Sequence, residues 1–138
     1  MHYETSIDID ASPDQVWRVL ADATSWPTWD SGVLRVEGTV ADGNKITLTS
    51  SVDPERAFAI KVTEVSPPRR MVFSGGMPLR LFRGVRTYEL SPDGTTTRFT
   101  MREDYSGPMA PMVTRSMPDL QPSFDQFAAG LKARVEVC

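Results

Sequence analysis

The sequence predicts an α+β fold in which a curved antiparallel sheet wraps around a long C-terminal helix. Three observations lead to this prediction. A strand pattern and two short helices come first, a long stretch of alternating strands and tight turns follows, and the tail carries an apolar stripe at helical spacing. Strands and helices that are segregated along the chain are typical of α+β proteins. Strands joined by short turns pair antiparallel, and a sheet of this length coils.

The first elements are a strand and two helices. In residues 3–10, largely apolar residues at the odd positions alternate with polar residues at the even positions, which predicts a half-buried strand. Residues 12–15 read Ser-Pro-Asp-Gln, a capping box with proline at the first helical position, and predict a helix over about 13–21. A second, short helix is expected within 24–30.

Six strands should follow. Turn signals such as Asp42-Gly43-Asn44 and Pro92-Asp93-Gly94 separate runs of alternating apolar residues. Gly75-Gly76 ends one of these runs, either as the edge of a pocket entrance or as a plain turn. We expect the strands at about residues 33–39, 46–52, 58–63, 70–74, 81–90 and 95–105.

The tail is helical, and its prolines predict an interruption. A short helix is expected near Met109–Arg115, a kink near Pro118 and a firm helix over about Asp119–Glu136. Apolar residues at spacings of four and three form one stripe, which should face the concave side of the sheet. The stripe consists of Val113, Met117, Leu120, Phe124, Phe127 and Leu131.

Length and composition exclude several classes of protein and of functional site. Its 138 residues (15.3 kDa) fit one domain over residues 1–138. The net charge of -3 is spread along the chain without a basic tract, so nucleic acid is an unexpected partner. With one cysteine (Cys138) and one histidine (His2), an intramolecular disulfide and sites built from several cysteines or histidines are excluded.

Further sequence signals are missing. The N-terminus lacks an apolar signal segment, and no run reaches membrane-spanning length, so we expect a cytoplasmic protein. Because phosphate loops, dinucleotide fingerprints and metal-ligand clusters are also absent from the sequence, we expect function without a metal or organic cofactor.

Four segments carry a resemblance to a known family. Ile7–Leu20, Trp26-Pro-Thr-Trp-Asp30, Tyr88–Phe99 and Phe124–Lys132 resemble the START-like (SRPBCC) superfamily, and its polyketide cyclase/dehydratase-like branch in particular. The resemblance spans nearly the whole chain and implies the helix-grip fold. It does not select an activity, since this superfamily includes lipid carriers, aromatic polyketide cyclases, hormone receptors and chaperone activators.

Two charged residues are the most interesting candidates for a site. Glu103 shares strand parity with Phe99 and Met101, and Arg86 shares it with Tyr88, so both should face inward as close, diagonal neighbours across a strand pair. Glu103 is the candidate catalytic residue, as a general base. Parity is fragile near strand ends, so the alternative of two exposed side chains stays open.

The remaining candidates are apolar or aromatic. Trp26 and Trp29 either line a cavity mouth or pin the short helix to the sheet. The methionines either form a malleable pocket wall or belong to an ordinary core. The expected ligand-binding residues are Trp26, Trp29, Phe73, Phe82, Arg86, Tyr88, Met101, Glu103, Tyr105, Val113, Met117 and Phe124.

Three functions remain open at this point. The first is binding of a hydrophobic or aromatic small molecule in a cavity between sheet and C-terminal helix. The second is a cyclase- or dehydratase-like enzyme that uses a buried carboxylate. The third is a protein-interaction module without a cavity. A monomer and a homodimer are both compatible with the sequence.

Overall fold

The computed structural model describes residues 1–137 and confirms the α+β helix-grip fold. Cys138, the single cysteine from which we excluded an intramolecular disulfide, lies outside the described residues. Within residues 1–137, no helix is both long enough and apolar enough to cross a membrane. The elements are β1 (His2–Ile9), α1 (Pro13–Leu20), a 3-10 helix (Ala23–Thr28), β2 (Val33–Glu37), β3 (Lys45–Ser50), β4 (Phe58–Ser66), β5 (Arg70–Gly76), a 3-10 turn (Pro78–Arg80), β6 (Arg83–Asp93), β7 (Thr96–Ser106), α2 (Ala110–Ser116) and α3 (Gln121–Glu136).

The seven strands form one antiparallel sheet in the order β1-β7-β6-β5-β4-β3-β2. Strands β2 to β7 pair with their chain neighbours, and β1 joins the far edge by pairing with β7. The register shifts after Val33 in the β2–β3 pair and after Val62 in the β4–β5 pair. Such irregularities increase the local twist, which helps the sheet curl around its concave face.

Helix α1 begins at the predicted capping box. The Gln15 backbone N–H donates to Ser12 Oγ at 3.3 Å, and the Ser12 backbone N–H donates to Gln15 Oε1 at 2.9 Å. The two bonds satisfy donors that the first turn would otherwise leave unpaired. Val16 and Leu20 lie on the buried face of the helix, so the cap fixes which side of α1 meets the core.

The apolar stripe of α3 fills the concave side of the sheet, as predicted. Phe124, Phe127 and Leu131 are almost completely buried. Helix α3 contacts β1 and α1 most extensively. The core thus joins the two ends of the chain through the following buried residues: Ile9, Val16, Leu20, Trp26, Ile46, Val62, Met71, Phe73, Tyr88, Leu90, Phe99, Met101, Phe124, Phe127 and Leu131.

The connection between β5 and β6 differs from the prediction. Strand β6 begins at Arg83, not near Leu81, because Leu79 and Arg80 adopt left-handed backbone angles (φ 59° and 56°) and interrupt the extended chain. Phe82 therefore lies in the connection before the strand. The Met109 backbone N–H donates to the Leu81 carbonyl at 2.9 Å, which ties this connection to the start of α2.

Gly130 marks a close approach between α3 and the segment after the first 3-10 helix. A Cβ atom there would lie 2.0 Å from the Asp30 carbonyl oxygen and 3.2 Å from Trp29 Cε3. Beside this contact, Gln126 Nε2 donates to Asp30 Oδ1 at 2.8 Å. The missing side chain at residue 130 therefore sets the distance between the two segments.

We expect Gly130→Ala to destabilise the protein although alanine favours helices by about 1 kcal/mol over glycine. The added methyl group collides with the Asp30 backbone, so the free energy of unfolding should fall by roughly 1–3 kcal/mol. Urea unfolding measures the change. The matched control is Ala129→Gly, at the exposed neighbouring position, where glycine should cost about 1 kcal/mol. A Gly130→Ala protein as stable as the wild type would contradict the close approach.

Candidate functional site

A row of directly paired residues crosses the concave face from β1 to β5. Tyr3 pairs with Glu103, Glu103 with Arg86, and Arg86 with Phe73. The flanking residues Tyr88 and Met101 are fully buried on the same face. The alternation along β6 and β7 therefore extends as far as the charged pair, and both charged side chains face inward.

Arg86 and Glu103 form an ion pair inside this row. Arg86 Nε donates to Glu103 Oε1 at 3.0 Å, and the two side chains are 26% and 16% exposed. The two residues are directly opposite each other in the ladder, so the expected diagonal placement was wrong. The β6–β7 ladder ends at the pair of Asp93 and Thr96, one position later along the chain than a turn centred on Asp93 and Gly94 would place it. This change of register puts Arg86 directly opposite Glu103.

Aromatic rings surround the ion pair. Arg86 Cζ lies 4.7 Å from the centre of the Phe124 ring of α3, a cation–π contact. The Tyr3 ring lies 5.6 Å from Phe124 and 6.2 Å from Tyr105, and Phe82 stacks on Tyr105 at 5.7 Å. The hydrogen bond between the pair uses one of the five guanidinium N–H donors, so the pair retains donor and acceptor capacity beside apolar walls.

The surroundings keep both nearby phenols neutral. Burial raises the pKa of Tyr88 to about 12, although the Arg86 guanidinium opposes this effect. Burial and then the Glu103 charge raise the pKa of Tyr105 well above its usual range. Burial alone would lower the pKa of Arg86, but Glu103 and the tyrosines outweigh it and hold that pKa above its ordinary value. The site thus combines a fixed cation with two neutral hydroxyl groups.

Tyr105 has a second unusual property. Its hydroxyl oxygen is buried and makes no well-aligned hydrogen bond within residues 1–137, although the Glu103 carboxylate lies close enough to raise its pKa. A buried unpaired hydroxyl costs free energy, about 1–3 kcal/mol. A polar group of this kind at an otherwise apolar wall is well suited to meet a ligand.

Beyond Tyr88, aromatic rings fill the space between the sheet and α3. Trp26 lies 4.9 Å from Phe127 and 5.9 Å from Tyr88, and Phe73 lies 5.0 Å from Tyr88. Trp26 Nε1 donates to the Leu20 carbonyl at 3.1 Å, which joins the 3-10 helix to α1. This packing matches the alternative in which Trp26 pins the short helix to the sheet.

The remaining predicted site residues lie outside the charged row. Trp29 packs 5.2 Å from Phe127, and its buried Nε1 has no hydrogen-bond partner among residues 1–137. Val113 and Met117 are half-buried, in α2 and in the connection to α3. The structure therefore brings together a subset of the predicted residues, namely Phe73, Phe82, Arg86, Tyr88, Met101, Glu103, Tyr105 and Phe124.

Sequence reasoning missed two residues that border the pair, Tyr3 and Gly84. Tyr3 reaches it because β1 pairs with β7, and its parity with Ile9 was the available signal. Gly75 and Gly84 lie opposite each other on β5 and β6, on the same face as Arg86. The sequence left Gly75 open as the edge of a pocket entrance or as a plain turn, and the structure shows that it continues β5. No sequence signal pointed to Gly84.

An open depression of about 270 Å³ lies at the β5–β6 end of the sheet. We call it the hairpin depression. It is lined by Ser74, Gly75, Gly76, Met77, Leu79, Arg80, Phe82 and Arg83. Its volume is close to the lower limit of about 300 Å³ for small-molecule pockets. Within residues 1–137, no three His, Cys, Asp or Glu side chains come together as a potential metal site.

Solved structures share this fold along nearly the whole chain. The aromatase/cyclase ZhuI of Streptomyces sp. R1128 superposes with a TM-score of 0.76 at 15% identity, covering 99% of this chain and 93% of that one. A START superfamily protein of Mycobacterium smegmatis gives 0.72 at 15% identity, covering 99% and 97%. The di-domain ARO/CYC protein BexL of the BE-7585A biosynthetic pathway gives 0.72 at 19% identity, covering 99% of this chain and 46% of that one.

Identities this low show a common fold, which agrees with the predicted START-like, SRPBCC architecture. None of the curated proteins compared with the chain matches it. The family model described as "Polyketide cyclase / dehydrase and lipid transport" matches residues 1–136, almost the complete chain. Together with the curled sheet and its gripping helix, this match places the chain in the polyketide cyclase/dehydrase and lipid transport family.

Proposed function

We propose that this protein binds a flat, largely apolar small molecule whose hydroxyl or carbonyl group meets the Arg86–Glu103 pair. The observation that carries the proposal is this half-buried pair on an otherwise apolar, aromatic concave face. Charged groups at such a position are costly unless they have a partner, and few polar groups are needed to orient a ligand. The family match supports small-molecule binding as the general role.

The chemistry of the pair narrows the ligand class. Arg86 supplies donors and Glu103 supplies acceptors, so together they suit a group that both donates and accepts, such as a phenol or an enol. The nearby rings of Tyr3, Tyr105 and Phe124 suit an aromatic body. A phenolic aromatic compound fits both requirements.

Calorimetric titration with 2-naphthol tests the proposal. We expect saturable binding of one molecule per chain, because the ring and the hydroxyl of this probe match the aromatic walls and the charged pair. Native mass spectrometry of the protein purified from its own host should in addition reveal a retained small molecule. Absence of saturable 2-naphthol binding would contradict the proposal.

A cyclase- or dehydratase-like activity is the second candidate. The observation that favours it is the neutral Tyr105 hydroxyl next to the Glu103 carboxylate, since a phenol donor and a carboxylate acceptor form a general acid–base set. Glu103→Gln separates the two functions. If the wild type turns over its ligand and Glu103→Gln still binds the ligand but no longer turns it over, the result supports an enzyme. If the wild type binds the ligand without any turnover, the result supports a carrier or receptor.

A further inference from the structure

We propose that Gly75 and Gly84 determine the width of the ligand, because they keep a floor free of side chains for a flat ring beside the Arg86–Glu103 pair. This inference rests on the proposed function and adds a specificity determinant to it. We call the two residues the glycine floor.

The position of the glycine floor links it to the charged pair. Gly75 and Gly84 are directly opposite each other in the β5–β6 ladder, and Gly84 is also opposite Tyr105 in β7. Gly84 precedes Arg86 by two residues, so both lie on the same face of β6. The floor is therefore the next row of the sheet after the charged row.

The backbone does not require glycine at either position. Gly75 and Gly84 both avoid the left-handed region, whereas Gly76 has a φ of 146° and its Cβ would lie 2.2 Å from the Phe82 carbonyl oxygen. Conformation thus explains Gly76 but neither member of the floor.

Close packing does not require glycine at residue 84 either. A Cβ atom there would be 3.4 Å from Tyr105 Cε1 and 3.5 Å from the Glu103 carboxyl carbon, which are ordinary contacts. A Cβ atom at Gly75 would lie 3.3 Å from the Ala59 carbonyl oxygen, which is a tight contact, and 3.9 Å from Ile60 Cγ1, both on the adjacent strand β4. No atom of the described helices lies within 4 Å of this Cβ position.

Glycine inside a strand is destabilising, and it often marks a place where a ligand approaches the backbone. Two such glycines side by side leave a flat surface between the Ile60 and Tyr105 side chains. Tyr105 also offers the buried hydroxyl that makes no well-aligned hydrogen bond within residues 1–137. Gly75 in addition lines the hairpin depression at the end of the β5–β6 pair. A broad, planar ring fits this surface, whereas a narrow alkyl chain does not need it.

The test compares two alcohols of different width, 2-naphthol and 1-octanol, on wild type, Gly84→Ala and Gly84→Val. We expect Gly84→Ala to weaken 2-naphthol binding at least fivefold and Gly84→Val to abolish it, with 1-octanol binding changed less than twofold. The melting temperature of Gly84→Ala should be unchanged or higher, because alanine is better tolerated in a strand. Loss of binding with unchanged stability separates ligand exclusion from misfolding.

The matched control is Val85→Ile, which adds one methyl group to the opposite face of β6 and should leave both affinities unchanged. Equal weakening of both probes by Gly84→Ala, or no weakening of 2-naphthol binding, would overturn the width-selecting role while the proposed function stands. A wild type that does not bind 2-naphthol, whether or not it binds 1-octanol, would contradict the proposed function and the inference together.

Discussion

Phe127→Ala is expected to lower the free energy of unfolding by about 3–5 kcal/mol. The Phe127 ring is buried at the centre of the grip, where it lies 4.9 Å from Trp26, 5.2 Å from Trp29 and 6.1 Å from both Tyr88 and Phe99. Its removal leaves a cavity that rigid neighbouring rings fill poorly. Urea or thermal unfolding measures the loss.

The control for this prediction is Phe58→Ala on β4, because Phe58 is an exposed phenylalanine. That change should cost less than about 1 kcal/mol. A comparably small cost for Phe127→Ala would mean that the α3 stripe does not form the centre of the core.

Arg86→Met is expected to reduce both stability and 2-naphthol binding. It removes the partner of the half-buried Glu103 carboxylate and should lower the free energy of unfolding by about 1–3 kcal/mol, less than for a fully buried pair because both side chains keep some exposure. The affinity for 2-naphthol should fall about tenfold or more, since a hydrogen bond from a charged donor is lost.

A second substitution distinguishes the pair from a simple packing effect. In the Arg86→Met background, Glu103→Gln should restore part of the stability because it removes the isolated charge, and a double-mutant cycle measures this coupling. It should not restore ligand affinity, which needs the guanidinium. The matched control is Arg98→Met. Arg98 binds Asp8 with two hydrogen bonds between the same sheet's strands, but this pair is about half exposed and should contribute about 1 kcal/mol or less. Unchanged stability and affinity in Arg86→Met would show that the pair is neither structural nor part of the site.

Much of the fold could be predicted because its signals are local. The capping box at Ser12 and Gln15 is complete within four residues, so the start of α1 is read directly from the sequence. The strands alternate with a period of two, and the α3 stripe repeats with helical spacing, so both elements and their buried faces were predictable. Boundaries were less predictable where backbone strain intervenes, as at Leu79 and Arg80.

The site was predictable in part. Strand parity indicated that Arg86 and Glu103 face inward, because alternation continues from well-buried neighbours such as Tyr88 and Met101. Their direct pairing depends on the register of β6 against β7. The sequence locates the turn only to within one residue, and a shift of one residue changes which side chains lie opposite each other.

By itself, then, the sequence determined the α+β architecture, the capping box that starts α1 and the apolar stripe of α3, and it indicated a pair of charged residues on the concave face. The tertiary structure alone decided that β1 closes the sheet edge beside β7 and brings Tyr3 to the pair. It also decided that Gly130 touches Asp30 and that Gly75 and Gly84 form one floor. The physical reason is common to these cases: each contact joins residues distant in sequence through register or close backbone approach, and neither leaves a periodic signal in the chain.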